Sequence, residues 1–239
     1  MLIHDNSIFV HVPKTGGTSI EALMGEGKSG YSLGYQSDFD IHDILLSAWR
    51  YMPDEDFNRR YKFGFVRNPF DREVSNYFWH TQVNVETVKE ISFADWVEWR
   101  YNMADNVPLS WFPDKQQFYY HKGFAKAPQV GYFVNSYGDF ISDFIGRYET
   151  LHDDWAKVCD IIGGNKNLPH YYKSDRKKDY RLYYTDKLVD IVGRAHQLDL
   201  IAFNYDFEHG MISDKICSSW RLNGRFDFAL TQHYTYYYG

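Results

Sequence analysis

Lys14, Thr15, Gly16, Gly17, Thr18 and Ser19 follow one another within SIFVHVPKTGGTSIEAL (7–23), and residue types in that order suit the holding of an anion. A strand that feeds a glycine-rich turn and then a helix aims backbone N–H groups and the positive end of the helix dipole at one point. Gly16 and Gly17 would let the backbone approach a ligand closely, Thr15, Thr18 and Ser19 add hydroxyls, and Lys14 adds a full charge. A phosphate or sulfate group fits such a cradle, although an ordinary strand–helix connection would carry the same glycines.

A second pairing follows in FVRNPFDREVSNYF. Arg67 ends an apolar run, and Ser75 comes 8 residues later on the helix that the pattern predicts next. An arginine at a strand end and a hydroxyl from the following helix could clamp another phosphate. A local ion pair of Asp71 with Arg67, or of Arg72 with a neighbour, is the structural alternative. The first loop is not a nucleoside-triphosphate loop of the form G-x-x-x-x-G-K-[ST]. Lys14 precedes the glycines, no lysine follows them, and no acidic residue at a strand end offers to hold a metal, which argues against ATP chemistry.

Elements must position these groups. SIFVHV (7–12) and YKFGFV (61–66) read as buried strands, and helices are expected from Ser19 and from Asp71 onward. A Gly/Ser-rich loop (25–38) and a short helix near Ile44–Arg50 lie between them. SFADWVEWRY (92–101) predicts a helix capped by its serine. GYFVNS (131–136) and DFIGRY (143–148) predict strands, YETLHDDWAKVCDIIGG a helix stopped by glycines, and TDKLVDIVGRAHQLDLIAF (185–203) one amphipathic helix. Strands alternating with helices imply an α/β fold, a central, mainly parallel sheet flanked by helices, over residues 1–208. The last part, 209–239, carries an Asn-Gly hairpin signal and a nearly all-aromatic end, and is expected to be an appendage packing on the main domain.

The 239 residues can bury a full core. With a formal charge of −6 and no long Lys/Arg run, an extended basic surface for nucleic acid is excluded, so any anion site must be a local concentration of positive charge. Cys159 and Cys217 sit in no CxxC or Cys/His cluster and are expected to be reduced. No signal-peptide pattern or spanning segment is visible, so a soluble, cytoplasmic protein with no membrane partner is expected. Trp49, Trp79, Trp96, Trp99 and Trp111 could stack on sugars or pack in a core.

PKTGGTS followed by VRNPFDREVSNY resembles the two donor-binding motifs of sulfotransferases that use 3′-phosphoadenosine 5′-phosphosulfate, most nearly the carbohydrate and heparan-sulfate branch. The later runs YFVNSYGDFISDFIGRYETLHDDWAKVC and LPHYYKSDRKKDYRLYYTDKLVDIVGRAHQLDLIAFNYDFE are similar to the same family, so the likeness spans roughly 6–208. The resemblance implies a P-loop-like fold, this donor as co-substrate and no metal. It implies that Lys14, Thr15, Gly16, Gly17, Thr18 and Ser19 cradle the 5′-phosphosulfate, with Lys14 on the bridging oxygen, and that Arg67 and Ser75 hold the 3′-phosphate. The basic loop YKSDRKKDYR (172–181) resembles the segment that closes over the nucleotide, with Arg176 and Lys177 as its contacts; a solvated charged turn would read the same.

Sulfuryl transfer moves a neutral SO₃ unit through a loose transition state, and the charge that grows on the leaving phosphate would be met by Lys14 and the loop N–H groups. The acceptor hydroxyl, expected to belong to a saccharide, needs a base. His42 in DFDIHDILL lies where related carbohydrate sulfotransferases carry a histidine, and Asp40 and Asp43 could orient it. Those aspartates could instead cap a helix and leave His42 merely exposed; His80 is the alternative base, while His121 and His170 have nothing in their favour. A diverged kinase and a non-catalytic nucleotide-binding protein are the competing classes. The sequence leaves the acceptor and the oligomeric state open.

Overall fold

The computed structural model describes residues 1–24, 44–83, 91–102, 127–169 and 176–217. The strand and helix assignments begin with strands β1 (Leu2–Ile3) and β2 (Ser7–Val10), then helices α1 (Gly17–Met24), α2 (Leu45–Tyr51) and α3 (Asp54–Asn58). Strand β3 (Tyr61–Val66) precedes helices α4 (Pro69–Val83) and α5 (Phe93–Asn102), and strand β4 (Phe144–Arg147) precedes helix α6 (Leu151–Ile162). Helices α7 (Asp186–Ala195) and α8 (Gln197–Phe203) lead to the short strands β5 (Tyr205–Asp206) and β6 (Gly210–Met211).

The chain divides into two compact units, one within Met1–Arg67 and Gln129–Tyr171, the other within Asn68–Pro128 and Tyr172–Trp220. The first unit holds a four-stranded sheet in the order β1-β2-β3-β4. β2, β3 and β4 run parallel, with Val10 opposite Gly64 and Val66 opposite Arg147, and β1 is antiparallel at the edge. The fold is therefore α/β with a mainly parallel sheet flanked by helices, as the alternation of the sequence predicts. Buried on both faces, β2 and β3 read as the near-continuous apolar runs that such strands require. The α6 stripe puts Trp155 and Val158 into a core with Phe9, Phe63, Phe65 and Ile20. Gly163, at φ +80°, ends that helix, and its N–H donates to the Cys159 carbonyl.

The second unit is mainly helical. α4 starts at Pro69 rather than near Asp71, because Asn68 caps it: Asn68 Oδ1 accepts from the Phe70 N–H at 2.9 Å, and proline at the first helical position gives up no needed donor. Ser92 Oγ accepts from the Asp95 N–H at 3.1 Å, the predicted cap of α5. Phe70, Val74, Trp96, Val97, Leu188 and Val192 form this unit's core.

Two expectations are corrected. The run at 131–136 is not a strand: Gln129–Tyr132 is a turn of 3₁₀-helix, and only an isolated bridge joins Val134 to Phe140. Its apolar residues are buried all the same, so the hydrophobic signal reported burial rather than β-structure. The expected single helix over 185–203 is two, because His196 leaves helical geometry at φ −112°, ψ 22°. Its Nε2 lies 2.8 Å from the Tyr101 hydroxyl, a partner distant in sequence, and its Nδ1 3.3 Å from Asp199 one turn on, so the break three residues past Gly193 is held by one tertiary and one local contact. The chain from Tyr205 to Met211 forms a two-stranded pairing, and Cys217 N–H donates to the Ala202 carbonyl. The expected hairpin around Asn223-Gly224 and the aromatic end lie outside the described residues. Among the described residues no helix is long and apolar enough to cross a membrane. Both cysteines are free thiols.

Candidate active site

In the first unit, β2 gives way to a loop whose course is set by two left-handed residues. Lys14 has φ +69° and Gly16 φ +87°. A non-glycine residue held there costs on the order of 1 kcal/mol or more, and such strain persists where the surrounding structure over-determines it. Alternating conformations of this kind turn successive N–H groups toward one concavity. The loop runs into the first turn of α1, whose leading N–H groups lack helical acceptors. Thr15 has a different part from the expected one. Its Oγ1 donates to the Val12 carbonyl at 2.8 Å, so its hydroxyl proton braces the loop and is not left for an anion. Thr18 is exposed; Ser19 is buried and its N–H donates to the Gly16 carbonyl at 3.1 Å.

The glycines are required by the protein itself. A Cβ on Gly17 would lie 2.1 Å from Cδ2 of His11 and 2.2 Å from its Nε2. A Cβ on Gly16 would lie 2.7 Å from Leu151 Cδ2. His11, 7 % exposed, is the residue that reading the sequence as a plain apolar strand overlooks. Its Nδ1 is 2.6 Å from Glu21 Oε1 on α1; a carboxylate only accepts, so Nδ1 carries the proton. The ring wedged on Gly17 thus ties the loop to the helix it begins. The available signal was a histidine three residues before Lys14 and a glutamate one helical turn past Gly17.

Arg67, 3 % exposed, follows β3 in the same unit. Its Nη1 donates to the Lys14 carbonyl at 3.1 Å, so residues 53 apart in sequence are joined at the carboxyl ends of adjacent parallel strands. That edge is where open α/β sheets bind ligands. Its guanidinium carbon sits 3.8 Å from the centroid of the Tyr148 ring, and its backbone N–H and carbonyl are both bonded to the side-chain amide of Gln129, at 2.9 and 2.8 Å. Neither Tyr148 nor Gln129 carries a sequence motif that would have singled it out.

The second unit holds Ser75, His80, Arg176 and Lys177. Ser75 is buried on α4. Arg176 pairs with Asp71 at 2.7 Å, and the Lys177 N–H donates to the Tyr183 hydroxyl at 2.9 Å while its side chain is exposed. The partner of Asp71 in this pair is thus Arg176 of the basic loop, where the sequence alternative names Arg67. His80 is fully buried, 4.8 Å from the Trp96 ring centroid, and burial first, then the Arg100 charge, push its pKa down to about 4. So weak a base, shielded from solvent, is poorly suited to deprotonate an acceptor. Trp96 and Trp99 are core residues, whereas Trp49 is exposed. His42, His121, His170 and Trp111 lie outside the described residues.

α5 and α4 also share a buried polar network. Glu73 accepts from Trp96 Nε1 at 2.7 Å and from the Tyr101 hydroxyl at 2.8 Å, and its Oε1 lies 2.7 Å from Arg100 Nε. Burial first, then the Glu73 charge, hold the Tyr101 hydroxyl far above its ordinary pKa, so it stays protonated as a donor.

A strained glycine loop at the carboxyl edge of a parallel sheet, with an arginine from the next strand bonded to it, defines the α/β architecture of this unit. The model of the sulfotransferase family matches residues 3–206, and the chain belongs to that family of sulfuryl-transferring enzymes. No curated protein and no solved structure matches it.

Proposed function

We propose that the protein transfers the sulfuryl group of 3′-phosphoadenosine 5′-phosphosulfate to a hydroxyl of an acceptor, a saccharide, by in-line displacement within a P-loop-like sulfotransferase domain over 1–208, to which 209–239 is appended. The observation that carries this reading is the Arg67–Lys14 hydrogen bond, which joins the two motifs expected to hold the two ends of one nucleotide.

In this reading Lys14, the N–H groups from Thr15 to Ser19 and the dipole of α1 receive the charge that develops on the leaving phosphate. Such preorganised donors accelerate the reaction because they need not reorient as the bond breaks. Arg67 and Ser75 take the 3′-phosphate, the group that separates this donor from ATP. Arg176 and Lys177 contribute from the basic loop, Arg176 after exchanging its Asp71 partner for the nucleotide. Because the SO₃ unit in flight is neutral, less charge needs screening than in phosphoryl transfer, and the protein's own cations suffice. His42 takes the acceptor proton.

The test is thermal unfolding with 3′-phosphoadenosine 5′-phosphate, ATP–Mg²⁺ or AMP. At 100 times its dissociation constant a ligand adds about 2.7 kcal/mol. Stabilisation by the 3′-phosphorylated nucleotide, lost in Arg67→Ala, is expected; stabilisation by ATP–Mg²⁺ in its place overturns the reading. For the base, His42→Ala should lower kcat and leave nucleotide affinity intact. His11→Ala should do the opposite, weakening nucleotide binding by loosening the loop.

A further inference from the structure

Resting on that reading, we infer that Tyr148 and Gln129 are positioning residues that set Arg67 as the reader of the 3′-phosphate and so fix the choice of 3′-phosphorylated nucleotides over those lacking that group. All of these residues belong to the first unit. The register of β3 and β4 pairs Val66 with Arg147, which brings the next residues, Arg67 and Tyr148, alongside each other just past the sheet edge. There the guanidinium lies 3.8 Å from the ring centroid, a cation–π contact.

The backbone beneath the arginine is held as firmly. The amide of fully buried Gln129 accepts from the Arg67 N–H at 2.9 Å and donates to the Arg67 carbonyl at 2.8 Å, which extends a ladder-like pairing one residue beyond the strand. From the side, Nη1 is bonded to the Lys14 carbonyl. The Tyr148 ring also borders the loop, since a Cβ on Gly16 would lie 3.5 Å from its Cδ2. The guanidinium is therefore fixed by a ring, a backbone clamp and the loop carbonyl. A long side chain on a flexible stem loses rotamer freedom when it captures a phosphate; here that freedom is already lost on folding, so binding does not bear the cost.

Selectivity is the consequence that separates this role from a structural one. The loop residues serve the 5′-group, which nucleotides with and without a 3′-phosphate share. A general defect in the loop weakens both alike. Loss of the Arg67 frame weakens the 3′-phosphorylated ligand beyond any effect that the two nucleotides share through the loop.

The experiment measures, by calorimetry on the full chain, the affinities for 3′-phosphoadenosine 5′-phosphate and for AMP, and takes their ratio. Tyr148→Leu should lower the ratio roughly 3- to 10-fold, the range expected for a partly desolvated cation–π contact. Tyr148→Phe, which keeps the ring, should retain the wild-type ratio. In an Arg67→Ala background Tyr148→Leu should change the ratio no further. A Tyr148→Leu protein that keeps the wild-type ratio, or weakens both nucleotides equally, overturns the inference and leaves the donor assignment standing. Wild-type protein with no preference for the 3′-phosphorylated nucleotide overturns the donor assignment, and the inference with it.

Discussion

Gly17→Ala sets two physical effects against each other with opposite signs. Gly17 opens α1 and is not among the residues with positive φ, so its backbone would accept alanine. Helix propensity alone then predicts a gain of up to about 1 kcal/mol. The added methyl, however, would sit 2.1 Å from His11 Cδ2, where ordinary contact begins at 3.4 Å. The ring would have to retreat by more than an ångström, away from the Glu21 carboxylate that holds it at 2.6 Å and within a core where Phe9 stacks beside it, ring centroids 5.8 Å apart. Overpacking costs roughly 1–3 kcal/mol, and a charge-assisted hydrogen bond contributes roughly 1.5–3 kcal/mol. The balance is a destabilisation of about 3 kcal/mol. Urea unfolding of Gly17→Ala, His11→Ala and the double variant reads this directly, with a coupling of roughly 1–3 kcal/mol because the second substitution removes the obstacle met by the first. A Gly17→Ala protein as stable as wild type or more so, or additive effects in the double variant, would refute the steric account of the loop.

Acid should destabilise the second unit before its carboxylates titrate. His80 is held neutral by burial with a pKa near 4, against 6.5 in the unfolded chain. Its contribution is full above pH 6.5 and is lost as the pH falls toward 4, amounting to about 3 kcal/mol, and His80→Phe should flatten that limb in a pH series of unfolding midpoints. Glu73→Ala should cost about 3–5 kcal/mol, since it removes the carboxylate that buried Arg100, Trp96 and Tyr101 share, whereas exposed Asp190→Ala, which breaks a surface pair with Arg194, should leave the unfolding midpoint essentially unchanged. Thr15→Val, nearly isosteric, should lower loop stability by about 1 kcal/mol through the lost bond to the Val12 carbonyl, with nucleotide affinity falling only in proportion.

By itself the sequence determined what short-range chemistry determines. YKFGFV is the strand Tyr61–Val66 because an uninterrupted apolar run fits a sheet covered on both faces, and Ser92 caps its helix because a hydroxyl at that spacing reaches the orphan N–H of Asp95. The run from Lys14 to Ser19 announced the tight glycine turn into α1 for the same reason: its glycines and hydroxyls are neighbours in the chain. Tertiary structure decided whatever depends on partners far away in sequence. It gave Gly17 its reason in the ring of His11, placed Arg67 on Tyr148 and Gln129, split 185–203 at His196, and buried 131–136 without making it a strand. A residue's own type and neighbours set its local preferences, but which side chain it will meet is settled only when strands find their register and helices their faces. Arg67 and Tyr148 stand 81 positions apart and become neighbours only because β3 pairs with β4.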